Sequence, residues 1–97
     1  MRLRIWGKEK RLIMLKVYAA YWCPHCQATV NFLEKKKIPF EYMDIEKADT
    51  KIVKQVIEVN GGEDWVVPTM QYEGKWRPGK VFNEEVLEND LKELGVF

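Results

Sequence analysis

Two cysteines stand three positions apart, Cys23-Pro24-His25-Cys26, between a stretch of strand-like alternation and a stretch of helix-like recurrence. That junction constrains the chain more than any other feature. From Ile13 to Ala19, the residues Ile13, Leu15, Val17 and Ala19 alternate with Met14, Lys16 and Tyr18. The near-continuous apolarity suits a strand covered on both faces. Pro24, with its fixed φ and no N–H, fits a first helical turn. Cys26, Thr29, Val30 and Leu33 then recur at helical spacing as far as Lys35-Lys36-Lys37, where cations suit the C-terminal end of a helix dipole.

Further along, Phe40-Glu41-Tyr42-Met43-Asp44-Ile45 alternates after Pro39 and predicts a second strand, parallel to the first because a helix joins them. Asp49 or Thr50 caps a second helix with the stripe Ile52, Val53, Val56 and Ile57, and Asn60-Gly61-Gly62 stops it. Val66 to Tyr72 and Lys75-Trp76-Arg77, joined by Glu73-Gly74, predict a hairpin. Asn83 caps a last helix carrying Val86, Leu87, Leu91 and Leu94, with Gly95 past its end. The expected order is β-α-β-α-β-β-α: an α/β domain with a four-stranded mixed sheet flanked by three helices, over residues 13–97. Residues 1–12 precede the pattern and are expected to form a basic N-terminal extension able to add an edge strand.

At 97 residues the chain holds one core, and 46% apolar content with 32% charge is enough to fill it. Sixteen basic against fifteen acidic residues leave a net charge of +1, which argues against a sequence-independent nucleic-acid binder. The run Leu12 to Trp22, broken by Lys16, is too short to span a membrane, and Lys8 to Arg11 break the apolar core that a signal peptide needs. A cytoplasmic monomer is expected, in contact with neither nucleic acid nor membrane.

The cysteine spacing carries the chemistry. At the start of a helix the two sulfurs lie on adjacent turns, and the first faces unpaired N–H groups and the positive end of the dipole. Those donors favour thiolate over thiol, so Cys23 attacks and Cys26 resolves. A purely structural disulfide is the competing use, but closing so small a loop removes only about 2 kcal/mol of denatured-state entropy. Two Cys and one His are too few for a one-subunit zinc site, so no metal is expected. His25 is either a solvated helix residue or an imidazolium that stabilises the Cys23 thiolate and makes the disulfide a stronger oxidant. Trp22 packs on the core or covers the active face. Val67-Pro68 opens a strand after a Gly-rich loop, and X–Pro bonds are cis in only about 5 to 6% of cases.

Taken together, the first strand, the Trp22-Cys23-Pro24-His25-Cys26 helix start, Val67-Pro68-Thr69, and the closing hairpin and helix resemble the glutaredoxin family of the thioredoxin fold over about residues 13–95. The resemblance implies a thiol-disulfide oxidoreductase that acts on protein disulfides through Cys23 and Cys26, with Pro24 and His25 completing the motif. It also implies a cis Pro68 packed opposite Cys23, and a Val67 backbone that offers hydrogen bonds to a bound thiol peptide. Tyr21 and Trp22 join Val67 and Pro68 as the expected substrate-binding residues.

Many glutaredoxins carry a lysine three positions before the nucleophile to hold a glutathione carboxylate, where this chain has Ala20. Arg77-Pro78-Gly79-Lys80 stands in place of their paired glycine and acids, and Glu63-Asp64 would repel the carboxylates of glutathione. Trp76-Arg77-Pro78 is more similar to glutaredoxin-like proteins that take electrons from thioredoxin reductase, such as the reductants of ribonucleotide reductase. The electron donor is therefore expected to be such a flavoprotein or glutathione, with no cofactor tightly bound. The alternative is a carrier module in which Cys23 of two subunits and two glutathiones hold an iron-sulfur cluster.

Overall fold

A computed structural model describes residues 14–96. The extension 1–12, and Ile13 with it, lie outside the described residues. β1 (Leu15–Ala19) is followed by α1 (Pro24–Lys35), β2 (Phe40–Asp44), α2 (Thr50–Val59), β3 (Thr69–Tyr72), β4 (Lys75–Arg77) and α3 (Glu84–Leu94). The sheet order is β2-β1-β3-β4, with β1 parallel to β2 and antiparallel to β3, and β3 antiparallel to β4. This is the expected four-stranded mixed sheet with three helices, a thioredoxin-like fold.

Central β1 is buried at Leu15, Val17, Tyr18 and Ala19 and exposed only at Lys16. Leu15, Val17 and Ala19 join one core with Leu33 of α1, Val56 of α2, Met70 of β3, and Leu87 and Leu91 of α3. Tyr18 stacks on Trp76 of β4 at 5.7 Å between ring centroids. A strand this apolar needs cover beyond its strand neighbours, and the helix stripes supply it.

Element ends follow local chemistry. Asp49 and Asn83 cap α2 and α3 by accepting from the Ile52 and Val86 amides. Gly95 ends α3 in the left-handed region at φ 97°. The basic run after α1 does more than complement a dipole. Lys37 takes φ 60°, and the Lys37 and Ile38 amides bond back to the Glu34 and Leu33 carbonyls, a Schellman closure built without glycine. Glu73 and Gly74 both have positive φ, 50° and 82°, as a tight hairpin turn requires. β3 is shorter than predicted. Pro68 has no N–H and the Val66 carbonyl accepts from the Thr69 hydroxyl, so the ladder starts at Thr69, paired with Tyr18.

One ion cluster ties β4 to α3. Asp90 Oδ2 accepts from Arg77 Nε at 2.8 Å and from Lys80 Nζ at 2.7 Å, and the Arg77 side chain is only 5% exposed. Burial alone would raise the Asp90 carboxyl, but the hydrogen bonds from Lys80 and Arg77 outweigh it and hold it below the usual aspartate range. Asp90→Asn should therefore lower stability at neutral pH by about 1 to 2 kcal/mol, since Arg77 keeps its charge and loses its anion. The folded-state carboxyl titrates below the unfolded one, so this contribution is complete above the ordinary aspartate range and fades as pH falls through the depressed value. Urea unfolding of both proteins at pH 7 and pH 2.5 checks this: the gap between them should narrow at the lower pH.

Candidate active site

Ala19 and Ala20, both fully buried, carry the chain from β1 to the mouth of α1. There Cys23 itself is the N-cap residue, with extended φ and ψ of −85° and 118°, and Pro24 takes the first helical position. An N-cap side chain normally offers oxygen to the free amides of the first turn. Here a sulfur does so: the Cys26 N–H points at Cys23 Sγ, 3.4 Å away. From the other side, the Val67 carbonyl oxygen lies 3.9 Å from the same sulfur, and the Val67-Pro68 peptide is cis. The motif and the proline loop, 44 residues apart, thus meet at one atom.

The two thiols are free and differently placed. Cys23 keeps 5% of its surface exposed and Cys26 1%. Burial pushes the Cys26 thiol up to about 12, opposed by the Ala20 backbone and reinforced by Cys23. A neighbouring phenol is affected as well: burial, then the charge of Cys26, raise Tyr42 to about 12. Tyr42 stacks on Tyr21 at 4.9 Å, and the pair walls an open cavity of about 410 Å³ that reaches Cys26 from the β2 side.

The other expected residues fall around this centre. Trp22 is 61% exposed, which sets aside the core-packing reading, and its ring tilts against Trp65 at 6.5 Å. Tyr21 is likewise exposed, with its carbonyl accepting from Gln27 Nε2. Pro24 is exposed at the helix start. His25 has a partner that its sequence position did not announce. Its Nδ1 accepts from the Phe82 N–H at 3.0 Å, across 57 residues. This bond ties the start of α1 to the segment that leads into α3.

Three contributors were not legible in the sequence. Phe82 and Trp65 had no motif to mark them. Asn60, read only as a helix stop, places its side chain between Val56, Thr69 and Gly79. Glu63 and Asp64, which follow the two glycines of that turn, are exposed. Among the described residues no group of three or more His, Cys, Asp and Glu could hold a metal ion, and no helix is long and apolar enough to cross a membrane.

A cysteine pair opening the first helix of this sheet, faced by a cis-proline loop, defines the thioredoxin-like class of redox proteins. Within it, the glutaredoxin family model matches residues 15–69, more than half of the chain, and the chain belongs to the glutaredoxin family. Among solved structures it is similar to the glutaredoxin grx-1 of Archaeoglobus fulgidus, with a TM-score of 0.63 and 28% identity over 96% of this chain and 95% of that one. No curated protein matches.

The asymmetry of the two thiols has a direct readout. At pH 7, iodoacetamide should modify Cys23 in Cys26→Ser at least about 100-fold faster than Cys26 in Cys23→Ser, because only thiolate reacts. The Cys26 rate should climb roughly tenfold per pH unit through pH 10, as a thiol titrating near 12 requires. A Cys26 rate that levels off below pH 9 would overturn the reading of Cys26 as the less reactive, buried thiol.

Proposed function

We propose that the chain is a protein dithiol-disulfide oxidoreductase with Cys23 as nucleophile and Cys26 as resolving thiol. The observation that carries this reading is the position of Cys23 Sγ, which accepts the Cys26 N–H and faces the Val67 carbonyl. The Cys23 thiolate attacks one sulfur of a substrate disulfide, forming a mixed disulfide and releasing the other substrate sulfur as thiolate. Cys26 then loses its proton and attacks Cys23 Sγ, which frees the second substrate thiolate and leaves a Cys23–Cys26 disulfide. Two electrons and two protons pass in all from the protein dithiol to the substrate. Burial keeps Cys26 protonated until that second step and so limits unproductive attack.

Pro24 and His25 belong to the catalytic set in this reading. Pro24 fixes the first turn that presents the amides to Cys23. His25 acts by placement, joining the helix start to Phe82. Exposed Tyr21 and Trp22 and half-buried Val67 form the substrate-binding face in this reading, with Pro68 fully buried beneath it as the support of the Val67 backbone and exposed Val66 and Val81 adding apolar surface.

For the electron donor we infer a flavoprotein of the thioredoxin-reductase type in preference to glutathione. Glutathione brings two carboxylates. Ala20 is buried where a lysine would meet one, Arg77 and Lys80 are both bonded to Asp90, and Glu63 and Asp64 are exposed acids. We infer a cytoplasmic setting, where thiols are kept reduced. Turnover driven by thioredoxin reductase should exceed turnover driven by glutathione and its reductase by about tenfold or more, the loss expected for one unmatched carboxylate worth about 1.4 kcal/mol. Equal rates would overturn the choice of donor and leave the dithiol mechanism standing. Visible absorbance after anaerobic purification with glutathione would instead favour a cluster carrier.

A further inference from the structure

We propose that Asn60 is a positioning residue: through Thr69 it sets the Val67-Pro68 peptide against Cys23, and so favours disulfides carried on a peptide strand. This rests on the oxidoreductase reading above. A carboxamide has two N–H donors and one carbonyl oxygen, and the structure uses all of them. Asn60 Nδ2 donates to the Val56 carbonyl at 2.8 Å and to Thr69 Oγ1 at 2.9 Å, while Oδ1 accepts from the Gly79 N–H at 2.8 Å. Thr69 Oγ1, on a residue with no exposed surface, donates onward to the Val66 carbonyl at 2.6 Å. The relay runs Gly79 to Asn60 to Thr69 to Val66, each link polarising the next.

Its ends bracket the proline peptide, with Val66 just before Val67-Pro68 and Thr69 just after. This peptide has little ladder of its own, because Pro68 has no N–H and the Val67 carbonyl is turned to Cys23. The Val66 side chain also bears directly on Gly79, where a Cβ would overlap it. A helix cap alone does not account for the arrangement. The backbone N–H of Asn60 already bonds the Val56 and Ile57 carbonyls, so α2 closes without the side chain.

The functional consequence follows from the 3.9 Å separation of Val67 O and Cys23 Sγ. A substrate sulfur joined to Cys23 must pass that carbonyl, and a substrate strand lies along the peptide that Asn60 and Thr69 hold. A small disulfide with no strand has little to align there. Displacing Val67 therefore penalises peptide disulfides selectively.

The test uses dithiothreitol as reductant, which separates it from the choice of donor. Wild type, Asn60→Asp, Thr69→Val, Thr69→Ser and the double variant Asn60→Asp with Thr69→Val are compared on insulin and on bis(2-hydroxyethyl) disulfide. All are assayed well below their measured unfolding midpoints. Asn60→Asp keeps the size and the acceptor for Gly79 but draws the Thr69 hydroxyl to itself and away from Val66. Each of Asn60→Asp and Thr69→Val should lower kcat/KM on insulin about tenfold, the scale of one lost buried hydrogen bond, and change it less than about twofold on the small disulfide. The double variant should fall less than about twofold below the weaker single, because both break one relay. Thr69→Ser, which keeps the hydroxyl, should restore insulin turnover. Equal losses on both substrates, additive losses, or unchanged insulin turnover with a lower unfolding midpoint would each overturn the positioning role while the oxidoreductase reading stands. A wild type that reduces neither disulfide overturns that reading and this role together.

Discussion

One sulfur, Cys23 Sγ, is held between two unlike partners, the Cys26 amide in the first turn of α1 and the carbonyl of Val67. Everything that places those partners serves that contact. β1 supplies a buried stem whose last residue, Ala19, and the following Ala20 admit no solvent. α1 begins at a proline and is anchored further along by Phe32 and Leu33. β3 pairs with β1 from Thr69 to Tyr18 and so brings the proline peptide to the same end of the sheet as the cysteines. The antiparallel β1–β3 pairing converts a separation of 44 residues into contact.

Polar groups near the site are largely committed to one another. Asp90 takes up Arg77 and Lys80, the Asn60 carboxamide is fully engaged, and the His25 ring accepts from Phe82. The groups left facing outward are mainly apolar, Trp22, Val66 and Val81, together with the carboxylates of Glu63 and Asp64. Recognition on such a face depends on shape and backbone more than on ion pairing, since satisfied charges gain little from a new partner.

Periodicity made most of the architecture readable before any coordinates. Strand alternation, helix stripes, the Asn83 cap and the Glu73-Gly74 turn are local signals, and apart from the third strand each falls on the element the structure shows, with Asp49 the cap of the two that the second helix offered. The dithiol was legible for the same reason, because both sulfurs stand three residues apart at one helix start. Contacts made across the chain left no such trace. Arg77 reaches Asp90 from another element, Gly79 meets Asn60 across the proline loop, and Phe82 meets His25 across most of the domain. No residue spacing encodes those meetings. The overlong third strand had a readable cause in Pro68, but its true start depended on a Thr69 hydroxyl whose acceptor only the fold reveals.

The short outer strand β4 has a consequence for how copies of this protein coexist at high concentration. A sheet edge is a template for another chain's backbone, and long, flat edges invite stacking into fibres. β4 has three residues, and Pro78 follows at once with no amide to offer. With a net charge of only +1, mutual repulsion does little to keep molecules apart. Among the described residues, colloidal stability on this side therefore depends on geometry: the edge ends before a second strand could register against it.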